Sequence, residues 1–403
     1  MPNVCEIRVP NFTNAETSNS ELGSAALIRV AGLSVIERLL LGAAKAGISK
    51  AYITDTSQQT KQHLTNSKAL RKSPVEIKWN ATEKPLPNKR IVVEANVVVG
   101  NPVWGALVAA TTNMSVAQAP SMEVIGYSET QPFNAESDAS SSPFVYPVTQ
   151  PEHAKYARKT IFKNVSKLSS GPVSRLINSK LSLPMSEFLS DYPATPNQLT
   201  IFSALIGMLS GYFIAFGSIT GLIISGTLFQ LSSALDGVDG ELARGKFSAS
   251  NLGAWIDTIG DNLVYITFIA GLAIGYSRFA TTAELWFAGY VLPIGITTLA
   301  LTITLIGGMA LYLKLNKQSG TMTAVQTDLA QRVEREHVGF IYKMLDAVNI
   351  LGKRDSFSFI VFLIAVVPST LGSTAGFHIM FWGALCMILM IILYYLIGLR
   401  NAR

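Results

Sequence analysis

Apolar and polar positions divide this chain into two unlike parts. Residues 1–190 mix them, with short apolar runs broken by charged and turn-forming residues, whereas apolar runs dominate from Asn197 onward. In the first part Val4–Val9 and Ala51–Thr54 predict short buried strands, and Val75–Trp79 and Ile91–Val99 predict two more. Val35–Ala46 places Ile36, Leu39, Leu40 and Ala43 at helical spacing, and Gly47 follows where a helix would end. Strands alternating with helices predict an α/β domain built on a parallel sheet between helices. Thr111–Gln150 is rich in Ser, Thr, Pro and Ala, with Ser140, Ser141 and Ser142 running into Pro143, and predicts a long surface loop.

The second part carries six apolar stretches, at 198–217, 219–243, 252–277, 284–313, 356–372 and 374–398. Each is near or above the length of about 20 residues that crosses a bilayer as a helix. Pro293 predicts a kink in the fourth, because proline removes a backbone donor. Before the first span, a short amphipathic helix from Val173 suits the membrane interface. Pro196 suits a helix start, where its missing N–H costs nothing.

Charge then sets an orientation. Of 403 residues, 49% are hydrophobic and only 14% charged, and the basic ones sort by position. Lys155, Arg158, Lys159, Lys163, Lys167, Arg175 and Lys180 precede the first span, Arg244 and Lys246 sit between the second and third, and Arg400 and Arg403 end the chain. Lys314, Lys317, Arg332, Arg335, Lys343, Lys353 and Arg354 fall between the fourth and fifth, while the opposite connections offer little beyond Arg278, with Glu284 nearby. The positive-inside rule therefore predicts a multi-pass protein of the cell (inner) membrane with both termini cytoplasmic. The net charge of +6 follows from this asymmetry and from attraction to anionic lipid, so no nucleic-acid partner is needed. No basic region with an apolar stretch precedes residue 25, so no signal peptide is expected. Cys5 and Cys386 fall in different segments and form neither a disulfide framework nor a metal pair. The glycosylation sequons at Asn11 and Asn164 carry no meaning on the cytoplasmic side.

Four aspartates interrupt the apolar sequence: Asp236, Asp239, Asp257 and Asp261. An ionised carboxylate at the centre of a membrane helix costs about 2.5–3.5 kcal/mol even on a lenient insertion scale. The four must therefore face a polar cavity and be neutralised together, and a hard divalent cation is the natural neutraliser. Asp236 and Asp239 are three apart and Asp257 and Asp261 four apart, so each pair shares a helix face. Gly245–Ser250 is a short polar turn between the two helices. Counted from it, Asp239 and Asp257 lie about 8–9 Å deep and Asp236 and Asp261 about 13–15 Å deep. The pairs thus meet at matched depths. Gly240, Ala243 and Gly253 remove bulk from the same walls.

Asp-Gly pairs also mark turns in soluble loops. A calcium loop needs acidic or Asn residues at positions 1, 3 and 5, which Val238 breaks. Membrane aspartates also serve cation and proton transporters. None of these readings explains Gly, Ala, Arg and Gly at set offsets among the carboxylates.

The run Asp236-x2-Asp239-Gly240-x2-Ala243-Arg244-x8-Gly253-x3-Asp257-x3-Asp261 resembles the full signature of the CDP-alcohol phosphotransferase family. The resemblance implies an all-α membrane domain of six helices that transfers a substituted phosphate from a CDP-alcohol donor to a hydroxyl acceptor and releases CMP. It implies that Asp236, Asp239 and Asp257 hold metal, and that Asp261 touches a metal and takes the acceptor's proton. Mg²⁺ is the expected ion, in two copies, with Mn²⁺ as the alternative. Two such ions about 3.5–4 Å apart clamp attacking and leaving oxygens. Gly240 permits nucleotide packing, and the resemblance places Ala243 and Gly253 on the same substrate-binding walls. Arg244 either pairs with the pyrophosphate or anchors the helix end. Ser250 either hydrogen-bonds the donor or caps a helix. The stretch Asn197–Thr200 resembles the family's cytidine-pocket lining, and is equally a well-made helix start. Lys314, Arg332, Arg335, Lys343 and Arg354 lie on the pocket side, where some would bind the phosphate of a phosphorylated acceptor, and Arg354-Asp355 resembles the related position in family members using inositol phosphate or glycerol phosphate. A solvated inside-positive face explains the same charge.

Leu27–Ile53 is similar to part of a nucleotidyltransferase, and some family members carry such a cytidylyltransferase domain at the front. The Gly-rich loop is missing between Pro10 and Gly23, and the metal ligand would have to be Glu94. The expectation is a mixed chain: a non-catalytic α/β nucleotidyltransferase-like (Rossmann-like) domain over 1–165, an interfacial helix within 166–195 and a six-helix membrane domain over 196–403. Its expected partners are the lipid bilayer and a second copy in a homodimer. CDP-diacylglycerol is the expected donor, in phospholipid biosynthesis. The alternative is CDP-inositol with inositol phosphate, and the non-enzyme alternative is a cation transporter using the same aspartates.

Overall fold

The computed structural model describes residues 4–9, 25–54, 57–79, 91–95, 97–100, 104, 122–123, 145–148, 150–165, 173–315, 354–370 and 374–400. The chain folds as two units. One comprises Met1–Leu168 with Glu187–Pro193 and Ala243–Ser248; the other comprises Ser169–Ser186, Ala194–Leu242 and Ala249–Arg403.

The first unit contains β1 (Val4–Arg8), β2 (Arg29–Val30), β3 (Leu33–Ser34), α1 (Val35–Lys45), β4 (Lys50–Ile53), α2 (Gln58–Asn66), β5 (Glu76–Trp79), β6 (Ile91–Glu94), β7 (Val97–Val99), β8 (Met122–Glu123), β9 (Val145–Pro147) and α3 (Pro151–Asn164). Five strands form one sheet in the order β5-β4-β1-β6-β8. All four pairings are parallel, with Cys5 opposite both Ala51 and Ile91. Cys5 and Ile7, Ala51 and Ile53, and Ile91 and Val93 are each two residues apart on their strand, so they share one face of the sheet, which packs into the core. Helix α1 starts at a capping box in which the Ser34 hydroxyl accepts from the Glu37 N–H and Glu37 accepts from the Ser34 N–H. Gly47, at φ +88°, follows its end, as the helix-stop reading required.

Two expectations change here. Ile91–Val99 is not one strand: β6 joins the parallel sheet, whereas β7 pairs antiparallel with β9. The break at Ala95 falls between Glu94 and Asn96, two polar residues that interrupt the stretch from Ile91 to Val99. Thr111–Gln150 is not loop throughout, since β8 and β9 lie within it; strands this short show no alternation to read. The Pro10–Gly23 stretch lies outside the described residues. What the first unit shows is a small parallel sheet with helices.

The second unit is helical. A π-helical turn at Ser174–Asn178 leads into α4 (Ser179–Leu189). There follow α5 (Pro196–Ile214), α6 (Ile219–Gly245), α7 (Asn251–Thr282), α8 (Ala288–Leu315), α9 (Arg354–Thr370) and α10 (Ala375–Arg400). Among the described residues, five helices are long and apolar enough to cross a membrane: α5, α6, α7, α8 and α10. The sixth expected span, α9, is helical but has 17 residues and carries Arg354 and Asp355 in its first turn. Helix α8 continues through Pro293. Helix α5 begins with Thr195 as N-cap, Pro196 in the first turn and Gln198 closing a capping box. Its packing on α7 depends on glycine: a Cβ on Gly271 would collide with the Gly211 carbonyl oxygen. Such close backbone approach is how helices associate where no hydrophobic gain is on offer. Phe229, Phe268, Tyr276 and Phe377 fill the core of this unit.

Candidate active site

Helices α6 and α7 bring the acidic residues together. Asp236, Asp257 and Asp261 each offer a carboxylate oxygen, and these atoms lie within 4.8 Å of one another. All three residues are half-buried. Asp239 stands slightly apart and is buried. It accepts a hydrogen bond from the Thr200 hydroxyl of α5, and it interacts electrostatically with Asp236 and Asp257. Three helices therefore build the site, and Thr200 reaches it because it lies one turn inside the capped start of α5.

A cation from a fourth helix sits over the cluster. At the start of α9, Arg354 Nη1 donates to Asp236 Oδ1 at 2.6 Å and pairs also with Asp261. Its Nη2 donates to Ser232 Oγ at 3.0 Å, and Ser232 in turn donates to the Ser203 carbonyl at 2.8 Å. One guanidinium thus bridges α6 and α7 through charge-assisted bonds. The donor set is all oxygen, partly buried and negative, which suits a hard divalent cation. The guanidinium held there demonstrates that the space accepts positive charge, so these residues fit a metal ion.

The remaining expected residues divide. A Cβ on Gly253 would stand 3.0 Å from Asn197 Oδ1, so the starts of α5 and α7 meet at these two positions. Ser250 caps α7 by accepting from the Gly253 N–H at 3.0 Å. Gly240 lies beside Asp239 on α6. Ala243 and Arg244 fall in the other unit, where the Ala243 carbonyl accepts from the Ser248 N–H and Arg244 Nε donates to the Val165 carbonyl at 2.7 Å. Arg332, Arg335 and Lys343, and the side chain of Lys314, lie outside the described residues.

Two site neighbours escaped the sequence reading. Ser232 lies four residues before Asp236, so helical spacing alone could have placed it on the aspartate face. Glu241 sits inside the motif yet points elsewhere: it is buried and accepts from Ser182 and Ser186, each at 2.7 Å. No sequence signal distinguishes that partner set.

Residues 194–331 match the CDP-alcohol phosphatidyltransferase family. Over 127 residues the chain is 41% identical to a bifunctional IPC transferase and DIPP synthase of Thermococcus kodakarensis, covering 31% of this chain and 28% of that protein. Over 159 residues it is 36% identical to the protein of the same description in Aquifex aeolicus, covering 39% of this chain and 32% of that protein. It is 27% identical over 179 residues to an archaetidylinositol phosphate synthase of Pyrococcus horikoshii, covering 43% of this chain and 84% of that protein. The chain thus spans under a third of the length of the two bifunctional relatives.

Proposed function

We propose that this member of the CDP-alcohol phosphotransferase family moves a substituted phosphate from a CDP-alcohol to the hydroxyl of an inositol phosphate, releasing CMP. The observation that carries the reading is the convergence of Asp236, Asp257 and Asp261 within 4.8 Å on two membrane-type helices, with Arg354 over them. The inositol phosphate acceptor rests on the name of the Pyrococcus relative and on the guanidinium at the site. CDP-inositol is the donor proposed, from the likeness to the DIPP synthases, in place of CDP-diacylglycerol.

In this reading Asp236, Asp239, Asp257 and Asp261 hold Mg²⁺, in two copies, or Mn²⁺. The bound metal supplies Lewis-acid stabilisation of charge growing on the pyrophosphate. Asp261 takes the proton of the acceptor hydroxyl, whose oxygen bonds to the phosphorus distal to cytidine as the bond to CMP breaks. Arg354 swings from Asp236 and Asp261 to the acceptor's phosphate, a geometry that suits bidentate binding. Thr200 holds Asp239 by its hydroxyl. Asn197, Gly240, Ala243, Arg244, Ser250 and Gly253 are assigned to substrate binding. Helix α9 makes the sixth span, the site opens to the cytoplasm, the N-terminal α/β unit over 1–165 is a non-catalytic scaffold, and the enzyme works as a homodimer in the cell membrane.

The test is CMP release by the purified full chain in liposomes. Inositol phosphate is supplied with either CDP-inositol or CDP-diacylglycerol, with Mg²⁺ or EDTA. CMP appearing with CDP-inositol and Mg²⁺, and lost in EDTA, is the expected result. CMP with CDP-diacylglycerol alone would replace the donor. No CMP with any pair, alongside cation flux through the same liposomes, would overturn the enzyme reading in favour of transport.

A further inference from the structure

The helix that precedes the first span is built inside out. Asn178, Ser182 and Ser186 recur every four residues and are all buried, while Leu176, Leu181 and Met185 on its other sides are exposed. Every one of the three buried polar side chains finds a partner on the back of α6. Asn178 Oδ1 accepts from Gln230 Nε2 at 2.8 Å, and Asn178 Nδ2 donates to Ser233 Oγ at 3.4 Å. Ser182 and Ser186 both donate to the Glu241 carboxylate. Between these pairs Gly237 faces Ser182, which lies 3.4 Å from where a Cβ would stand. Gln230, Ser233, Gly237 and Glu241 thus form one face of α6, at spacings of three, four and four. Asp236 and Asp239 lie on another. The same helix also reaches α9, where the Ser174 N–H donates to Asp355 Oδ2 at 3.0 Å, next to Arg354.

We infer that Glu241 is a positioning residue for the phosphotransfer: with Ser182 and Ser186 it locks the rotation of α6, and so aims Asp236 and Asp239 at the partners on α7. The inference rests on the function proposed above. The physical argument is that apolar side chains are a poor rotational lock in lipid, where one apolar face packs as readily as another. A buried carboxylate held by two hydroxyls has only one satisfied orientation. An acidic residue at membrane depth that takes no part in the reaction needs such a role to justify its presence.

The experiment compares wild type, Glu241→Leu, Glu241→Gln and the double variant Ser182→Ala/Ser186→Ala, as full chains. Each is first shown monodisperse by gel filtration and then assayed for CMP release. Expected are a kcat at least tenfold lower in Glu241→Leu and in the serine double variant, a donor KM within twofold of wild type, and a higher Mg²⁺ concentration for half-maximal rate. Glu241→Gln, which still accepts from one serine and donates to the other, stays within threefold. Merely structural damage would lower the yield of folded protein without moving the Mg²⁺ dependence. If Glu241→Leu does not fold, the serine variant decides alone. Wild-type kcat and Mg²⁺ dependence in a folded variant overturn the inference, while an inactive wild type overturns the parent reading instead.

Discussion

Asp261 and Asp239 are the same side chain in two environments. Asp261 is half-buried, shares Arg354 with Asp236 and lies in the converging trio. Asp239 is buried and tied to Thr200. A proton acceptor must reach the substrate with lone pairs to spare, and Asp261 has the access that Asp239 lacks. Asp261→Asn should therefore keep the CDP-alcohol bound within about threefold while turnover falls by on the order of 10²–10⁴. Isothermal titration with a CDP-alcohol, paired with CMP release, checks both halves. Undiminished turnover in this variant would remove Asp261 as the base. The spacing of the four aspartates was legible because a helix repeats every 3.6 residues and each pair had to share a face. Which of the four would stand apart was not, because that depends on Thr200, 39 positions away, and on α5 docking beside α6.

At the scale of elements, five apolar stretches could be read as helices to within a few residues of the observed ends. The physics is one-dimensional: in hydrocarbon a backbone must bond to itself, so hydropathy and length suffice. Helix ends followed from the same local chemistry, as at Pro196. Pairing of α5 with α7 did not. Helix α5 packs on α7 through Gly211 and Gly271, two positions that look in sequence like many other glycines. Gly271→Leu should drive the two backbones apart and destabilise the membrane unit by about 3 kcal/mol or more, the upper range for overpacking. Thermal unfolding in detergent measures it, and a change below about 1 kcal/mol would mean that the close approach carries little of the packing. The strands of the first unit show the opposite difficulty. β6 and β7 lie in a stretch read as one strand, and their partners reveal two sheets.

At the scale of the whole molecule, pH should act on the first unit through a buried carboxylate. In the first unit Glu37 is buried, which by itself would raise its pKa, yet hydrogen bonds from the Ser67 hydroxyl and from the Ser34 N–H and hydroxyl outweigh this and lower it. A depressed carboxylate pKa adds stability above the unfolded value, and that stability is lost as pH falls through the folded one. Amide hydrogen exchange in α1 of the full chain should therefore accelerate as pH drops below the ordinary carboxylate range, after correction for intrinsic rates. Glu37→Gln should exchange faster at neutral pH and show a shallower acid dependence. Parallel profiles would discard Glu37 as the source.

The sequence by itself determined the helices of the second unit, the parallel character of the first, and the faces that carry the carboxylates. Each of these follows from local periodicity and from the cost of polar groups in apolar surroundings. Only the tertiary structure decided that Arg354 would bridge Asp236 and Asp261, and that Thr200 would hold Asp239. It alone turned Glu241 away from the site toward Ser182 and Ser186. Those contacts join residues 39 to 118 positions apart. The chain's local pattern says which residues must find partners, and only the docking of whole helices says which partners they find.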